Sequence, residues 1–158
     1  MEAPEGAPTA PTLPAYGHPP FRGTFRTKLE PSGRVALPAA LRGAFGGTGV
    51  LRATRQHLTL CTPLAFDEIV KAFQASQPGG VVAPRTRKRF HMSSTDVLID
   101  RQHRFVIPPE FKTQVGLGDQ IVLAGAIEAI EIWSAAAFRV EEAAFDDVDL
   151  FFDGFEGL

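Results

Sequence analysis

Residues 95–138 repeat the plan of residues 25–66, and that duplication limits what the chain can fold into more than any other feature. Glu30 falls on Asp100, Arg34 on Arg104, Leu37 on Ile107, Pro38 on Pro108 and Leu41 on Phe111. With two extra residues allowed in the second copy, Val50-Leu51 meets Val122-Leu123. Leu58-Thr59-Leu60-Cys61 then meets Ile130-Glu131-Ile132-Trp133, and Phe66 meets Phe138. Each copy reads acid-x-x-x-Arg, alternating residues, Pro, a short helix, two strand-like runs and a helix start. Two units are too few for a solenoid, so they are expected to pair around one shared core in an α+β protein.

A chain of 158 residues is long enough for one domain, or for two small halves packed together. Hydrophobic residues make up 44% of it, enough to fill a core. The single cysteine, Cys61, rules out an intrachain disulfide framework and fits a reducing compartment. No basic-then-apolar leader opens the chain and no apolar run approaches the length of a membrane span, so a soluble cytoplasmic protein is expected. The net charge of -2 hides an asymmetry. Residues 21–104 carry 14 Lys/Arg against 5 Asp/Glu, whereas residues 105–158 carry 2 against 11. A basic first part with an acidic tail is compatible with nucleic-acid binding; the plainer reading is a solvated surface.

Residues 1–20 hold 6 of the 13 prolines and read as a disordered arm. The first repeat is assigned to 21–77, a basic connector to 78–94, the second repeat to 95–145 and an acidic, Phe-rich tail to 146–158. Residues 21–29 alternate as a half-buried strand, Pro31-Ser32-Gly33 has turn chemistry, and 34–37 is expected to return as the partner strand of a hairpin. Pro38 opens a short helix through Phe45, and two strands follow at 50–53 and 58–61. Thr62-Pro63 reads as an N-cap and first turn for a helix lined by Phe66, Ile69, Val70 and Phe73. The connector is either a loop or a short helix packing Phe90 inward. The second copy repeats this plan: strands at 95–99, 104–107, 120–124 and 129–133, a helix from Pro108 to Val115, and a last helix capped by Ser134.

No catalytic set emerges. Gly46-Gly47-Thr48-Gly49 lacks the Lys-Ser/Thr of a phosphate loop and reads as a helix end. Cys61 lies in a strand and reads as a core thiol. His18, His57, His91 and His103 have no metal-ligand spacing, so neither metal nor cofactor is expected. The best candidates are the two acid-x-x-x-Arg turns. Their plain reading is a salt bridge closing each hairpin. Their functional reading is an acid, Glu30 or Asp100, holding Arg34 or Arg104 with its fork outward. A held arginine can contact guanine O6 and N7 in the DNA major groove. Arg85, Arg87, Lys88 and Arg89 suit phosphate contacts, or a solvated linker. Arg22, Arg26 and Lys28 share the exposed face of the first strand and are expected to extend that same surface.

Taken together, these pieces resemble the MraZ family, transcriptional regulators of bacterial division and cell-wall gene clusters within the AbrB-like group. The resemblance rests on Phe21-Arg22-Gly23, on acid-x-x-Gly-Arg-x-x-x-Pro in the first copy and on Ala129-Ile130-Glu131-Ile132-Trp133 in the second, over about residues 21–145. It implies two tandem half-units forming a swapped-hairpin β-barrel with flanking helices. It places the family's DNA-contacting motif on Glu30/Arg34 and Asp100/Arg104; Arg101 and His103, in the second turn, are further candidate DNA contacts. It further implies a repressor that binds short direct repeats of double-stranded DNA in its own promoter as a ring-like homo-oligomer at the nucleoid, with no membrane and no small-molecule substrate. Three features depart from the pattern. Glu30 replaces Asp beside Pro31, His103 stands where Gly is common, and the arm precedes the usual start. The alternative function is an oligomeric protein-binding scaffold acting through the acidic tail.

Overall fold

A computed structural model describes residues 12–80 and 84–146. The first copy comprises β1 (Thr24–Lys28), β2 (Arg34–Ala36), α1 (Ala39–Arg42), β3 (Thr48–Ala53), β4 (Leu58–Cys61) and α2 (Pro63–Ala75). After a 3-10 turn at Pro78–Gly80, the connector forms α3 (Pro84–Met92). The second copy comprises β5 (Ser94–Leu98), β6 (Arg104–Val106), α4 (Pro109–Gln114), β7 (Gln120–Ala126), β8 (Ala129–Ser134) and α5 (Ala135–Phe145). Both long helices start as their sequences demand. Thr62 Oγ1 accepts from Ala65 N at 3.1 Å, and Ser134 Oγ accepts from Ala137 N at 3.1 Å. Each such cap contributes roughly 1 kcal/mol.

The strands pair across the copies more than within them. β1 lies antiparallel to β7, β5 to β3, and β2 to β6. The hairpin expected between β1 and β2 is therefore absent as a ladder. Its turn is closed by Glu30 N to Arg34 O at 3.1 Å and Gly33 N to Glu30 O at 2.8 Å, and then the strands part. Val35 instead pairs with Phe105 of β6, and both join Leu37 in the main core. The seams follow an approximate twofold. Leu37 N donates to His103 O at 2.9 Å and Ile107 N to Gly33 O at 2.8 Å. Leu29 N likewise donates to Asp119 O, and Ile99 N to Gly47 O, each at 2.8 Å.

The described strands do not close into one barrel. Six form a sheet in the order β1-β7-β8-β4-β3-β5, and β2-β6 is a separate two-stranded ribbon. Pro38 and Pro108 follow shortly after β2 and β6 and bring no N–H to extend that ribbon. The ribbon packs on one face of the sheet. Val35, Leu37, Phe105 and Ile107 join Leu51, Leu58, Leu60, Ile121, Leu123, Ile130 and Ile132 in the main core. The other face carries the helices. Val50, Cys61 and Ala129 lie under Ala65 and Phe66 of α2, and Val122 and Trp133 lie under Phe138 of α5. Alternate residues of one strand therefore serve two cores, as Leu51 and Val50 do.

The connector proves to be helical, and Phe90 packs on the α2 side against Phe73 with ring centroids 5.2 Å apart. Residues 12–20, assigned by composition to the disordered arm, fold onto the body. His18 is buried between Tyr16 and Phe21, with ring centroids 4.9 Å and 4.3 Å away. Two aromatic anchors outweigh the proline content there. Residues 1–11 of the arm and 147–158 of the tail lie outside the described residues.

Two measurements test this packing. Burial pushes the Cys61 thiol up to about 12 against the opposing Arg52 charge, so almost no thiolate exists at pH 8. Cys61 is expected to resist a disulfide reagent in the native protein and to react rapidly once urea unfolds it. Gly33 has φ +85° and a Cβ there would sit 2.7 Å from the Ile107 carbonyl oxygen, which is backbone. Gly33→Ala is expected to lower unfolding free energy by more than about 1 kcal/mol in urea titrations.

Candidate nucleic-acid interface

The ribbon is built so that one face is core and the other is charge. Val35 pairs with Phe105, and each is 1% exposed. Arg34 pairs with Val106 and Ala36 with Arg104, so these four side chains share the opposite, outward face. The two arginines lie diagonally across the ribbon, where side-chain origins are roughly 7–8 Å apart. A two-stranded ribbon is one of the shapes that enters a DNA major groove.

The two turns that support these arginines share a backbone but not a clamp. In the second turn, Asp100 N donates to Arg104 O and His103 N to Asp100 O, each at 2.9 Å. The Asp100 carboxylate then caps the turn. Its Oδ1 accepts from Arg104 N at 3.0 Å and Gln102 N at 2.8 Å, and its Oδ2 accepts from Arg104 Nε at 3.3 Å. These contacts hold the carboxyl below its ordinary pKa, the Arg104 N–H foremost and the Gln102 N–H and Arg104 charge adding to it. Asp100 is therefore a carboxylate at neutral pH, and one edge of the Arg104 guanidinium is occupied while its terminal nitrogens stay available. His103 takes φ +60°, matching Gly33 at φ +85°, so the turn type survives the loss of glycine.

In the first turn the clamp is missing. Among the described residues, no ion pair or side-chain hydrogen bond joins Glu30 to Arg34. The expectation that Glu30 holds Arg34 is corrected by its length. The Asp100 oxygen reaches N–H groups two and four residues on because its side chain has one methylene, and a second methylene in Glu30 carries the carboxylate past that position. Glu30 instead lines a groove of about 540 Å³ with Lys28, Pro31, Lys112 and Asp119. Lys112, on α4, was not singled out by sequence. Only the crossing of the copies brings it to the first turn. Its repeat counterpart, Arg42, donates from Nη2 to Leu37 O at 2.9 Å and anchors the ribbon's end.

The remaining candidates are dispersed. Arg26 pairs with Glu142 of α5 at 3.7 Å, so it faces the helical layer. Arg85, Arg87, Lys88 and Arg89 are exposed on α3, which packs on β5 and on the α2 side of the sheet, and they too lie in the helical layer. Arg101 is exposed at the tip of the second turn, and Arg22 is exposed before β1. Among the described residues, no three His, Cys, Asp or Glu side chains converge as metal ligands. No helix among them is long and apolar enough to cross a membrane.

Residues 90–151 match the family model described as "MraZ protein, putative antitoxin-like". The chain is 37% identical over 120 residues to a protein of Thermomicrobium roseum named "Transcriptional regulator MraZ", covering 72% of this chain and 81% of that one. A protein of the same name from Desulfosudis oleivorans is 30% identical over 129 residues, covering 80% and 88%. Another from Mycolicibacterium gilvum is 32% identical over 121 residues, covering 75% and 84%.

Proposed function

Because this chain belongs to the MraZ family, we propose that it is a transcriptional regulator that binds double-stranded DNA in a sequence-specific way and is not an enzyme. The observation that carries this reading is the ribbon's outer face, where Arg104 is held by Asp100 and Arg34 lies on the diagonal. Arg104 reads guanine in the major groove through its free terminal nitrogens. Arg34, unclamped, makes the more adaptable contact. Lys28 and Lys112 flank the first turn and take backbone phosphate, with Arg101 and His103 beside the second. The cations of α3 lie in the helical layer and are given no base contact.

The finer reading is a repressor of a division and cell-wall gene cluster at the nucleoid. It acts on short direct repeats in its own promoter as a ring of identical subunits. A ring suits repeated sites, since linked weak contacts raise one another's effective concentration. The test is binding of the purified protein to its own upstream DNA and to a scrambled duplex across a salt series. Tighter binding to the upstream duplex, weakening as salt rises, is expected, because phosphate contacts release counterions while base contacts set preference. Equal, feeble binding to both duplexes overturns the proposal.

A further inference from the structure

A second basic site lies away from the ribbon. A cavity of about 320 Å³ opens where the β3–β4 turn meets α3 and the end of α4. Arg52, Arg55 and Arg89 line it, with Thr86, Phe90 and Gln114. No carboxylate is among its lining residues. None of the three arginines forms an ion pair within the described residues. Arg52 is the informative one. It projects from near the end of β3, is only partly exposed, and rests its guanidinium 5.3 Å from the centre of the Phe90 ring. Burial lowers its pKa, a sign that the cation is short of compensating partners. A ring face offsets part of that deficit, but a half-buried guanidinium is ordinarily balanced by an anion. Among the described residues no anion fills that role. Arginine forks match tetrahedral oxyanions through paired N–H donors, and the Thr86 hydroxyl and Gln114 amide add neutral donors. The volume sits at the small end of ligand sites, right for a phosphate or diphosphate group rather than a large organic molecule.

We propose that this cavity is a phosphate-group site, in which Arg52, Arg55 and Arg89 bind the oxygens of a phosphate-bearing anion independently of the ribbon. The phosphate belongs either to a small phosphorylated molecule, which would make the regulator responsive to it, or to a DNA backbone passing the helical layer.

The probe is sodium pyrophosphate, titrated calorimetrically into the full-length protein at constant ionic strength. Saturable binding of one equivalent per chain is expected. Arg55→Gln and Arg89→Gln, at exposed positions that leave the core untouched, are each expected to weaken it at least tenfold. Arg52→Gln should abolish it, with circular dichroism confirming the fold. Arg139→Gln, on α5, should leave it unchanged. A competing duplex identifies the source. Displacement of pyrophosphate by any duplex, with a shallower salt dependence of DNA binding in Arg89→Gln, assigns the phosphate to DNA. Simultaneous binding of both assigns it to a free anion. Absence of saturable heat, or equal weakening by Arg139→Gln, overturns the proposal. So does binding of a synthetic 147–158 peptide without binding of pyrophosphate, which would give the cavity to the acidic tail.

Discussion

Arg104→Ala is expected to remove most of the protein's preference for its upstream DNA while leaving its fold and its nonspecific, salt-sensitive affinity in place. A bidentate arginine–guanine contact discriminates by roughly 1–3 kcal/mol, or about 5–150-fold for each subunit engaged. The loss should exceed that of Arg34→Ala. Arg104 is held at Nε by Asp100 before DNA arrives, whereas Arg34 has no such partner among the described residues and must be ordered on binding. Ordering a long side chain costs roughly 0.5–1.5 kcal/mol, which lowers what Arg34 contributes. Asp100→Asn separates the parts of the clamp. The amide oxygen still accepts from the backbone of Gln102 and Arg104, but the charge facing the guanidinium is gone. Its specificity should fall between wild type and Arg104→Ala. Competition binding with upstream and scrambled duplexes measures all three variants. An effect of Arg34→Ala as large as that of Arg104→Ala would end the idea that the two turns do unequal work.

Phe105→Ala is expected to cost about 3–5 kcal/mol of unfolding free energy, the range for removing a buried aromatic ring. That is a large share of the roughly 5–15 kcal/mol that holds a domain folded. Phe105 is 1% exposed, pairs with Val35 on the ribbon's inner side, and packs in the main core. Its loss opens a cavity behind the ribbon's outer face, so Arg34 and Arg104 are expected to be held less firmly. Urea titration followed by Trp133 fluorescence reads the change. Val35→Ala, which removes less volume from the same pair, should cost clearly less. A Phe105→Ala protein within about 1 kcal/mol of wild type would mean that the ribbon does not seal the core.

The repeat, the helix caps and the identity of the two turns were legible from residues alone, because each depends on neighbours in sequence. Thr62, Ser134, Pro38 and Pro108 act within a turn of where they stand. What was not legible depended on partners far along the chain. Alternation marks 34–36 as a strand, but nothing in those residues says that β6 rather than β1 lies beside it. The same crossing hid Lys112, which reaches the first turn only from the other copy. Glu30 and Asp100 look alike at the level of charge. One methylene separates a carboxylate that caps its turn from one that does not.

The crossing of β1 to β7, β5 to β3 and β2 to β6 has the topology of two identical chains exchanging strands, yet one chain supplies both partners. A true homodimer carries each change twice and reads a palindrome, because its halves are bound to remain equal. Joining them in one polypeptide releases that constraint. Glu30 can differ from Asp100, Gly33 from His103, and Lys112 from Arg42. The molecule thereby acquires a polarity, with a clamped arginine at one turn and, among the described residues, an unclamped one at the other. If the ribbon reads DNA as proposed, such a molecule has a forward direction along the duplex, and copies set side by side in one orientation would call for sites repeated in one orientation.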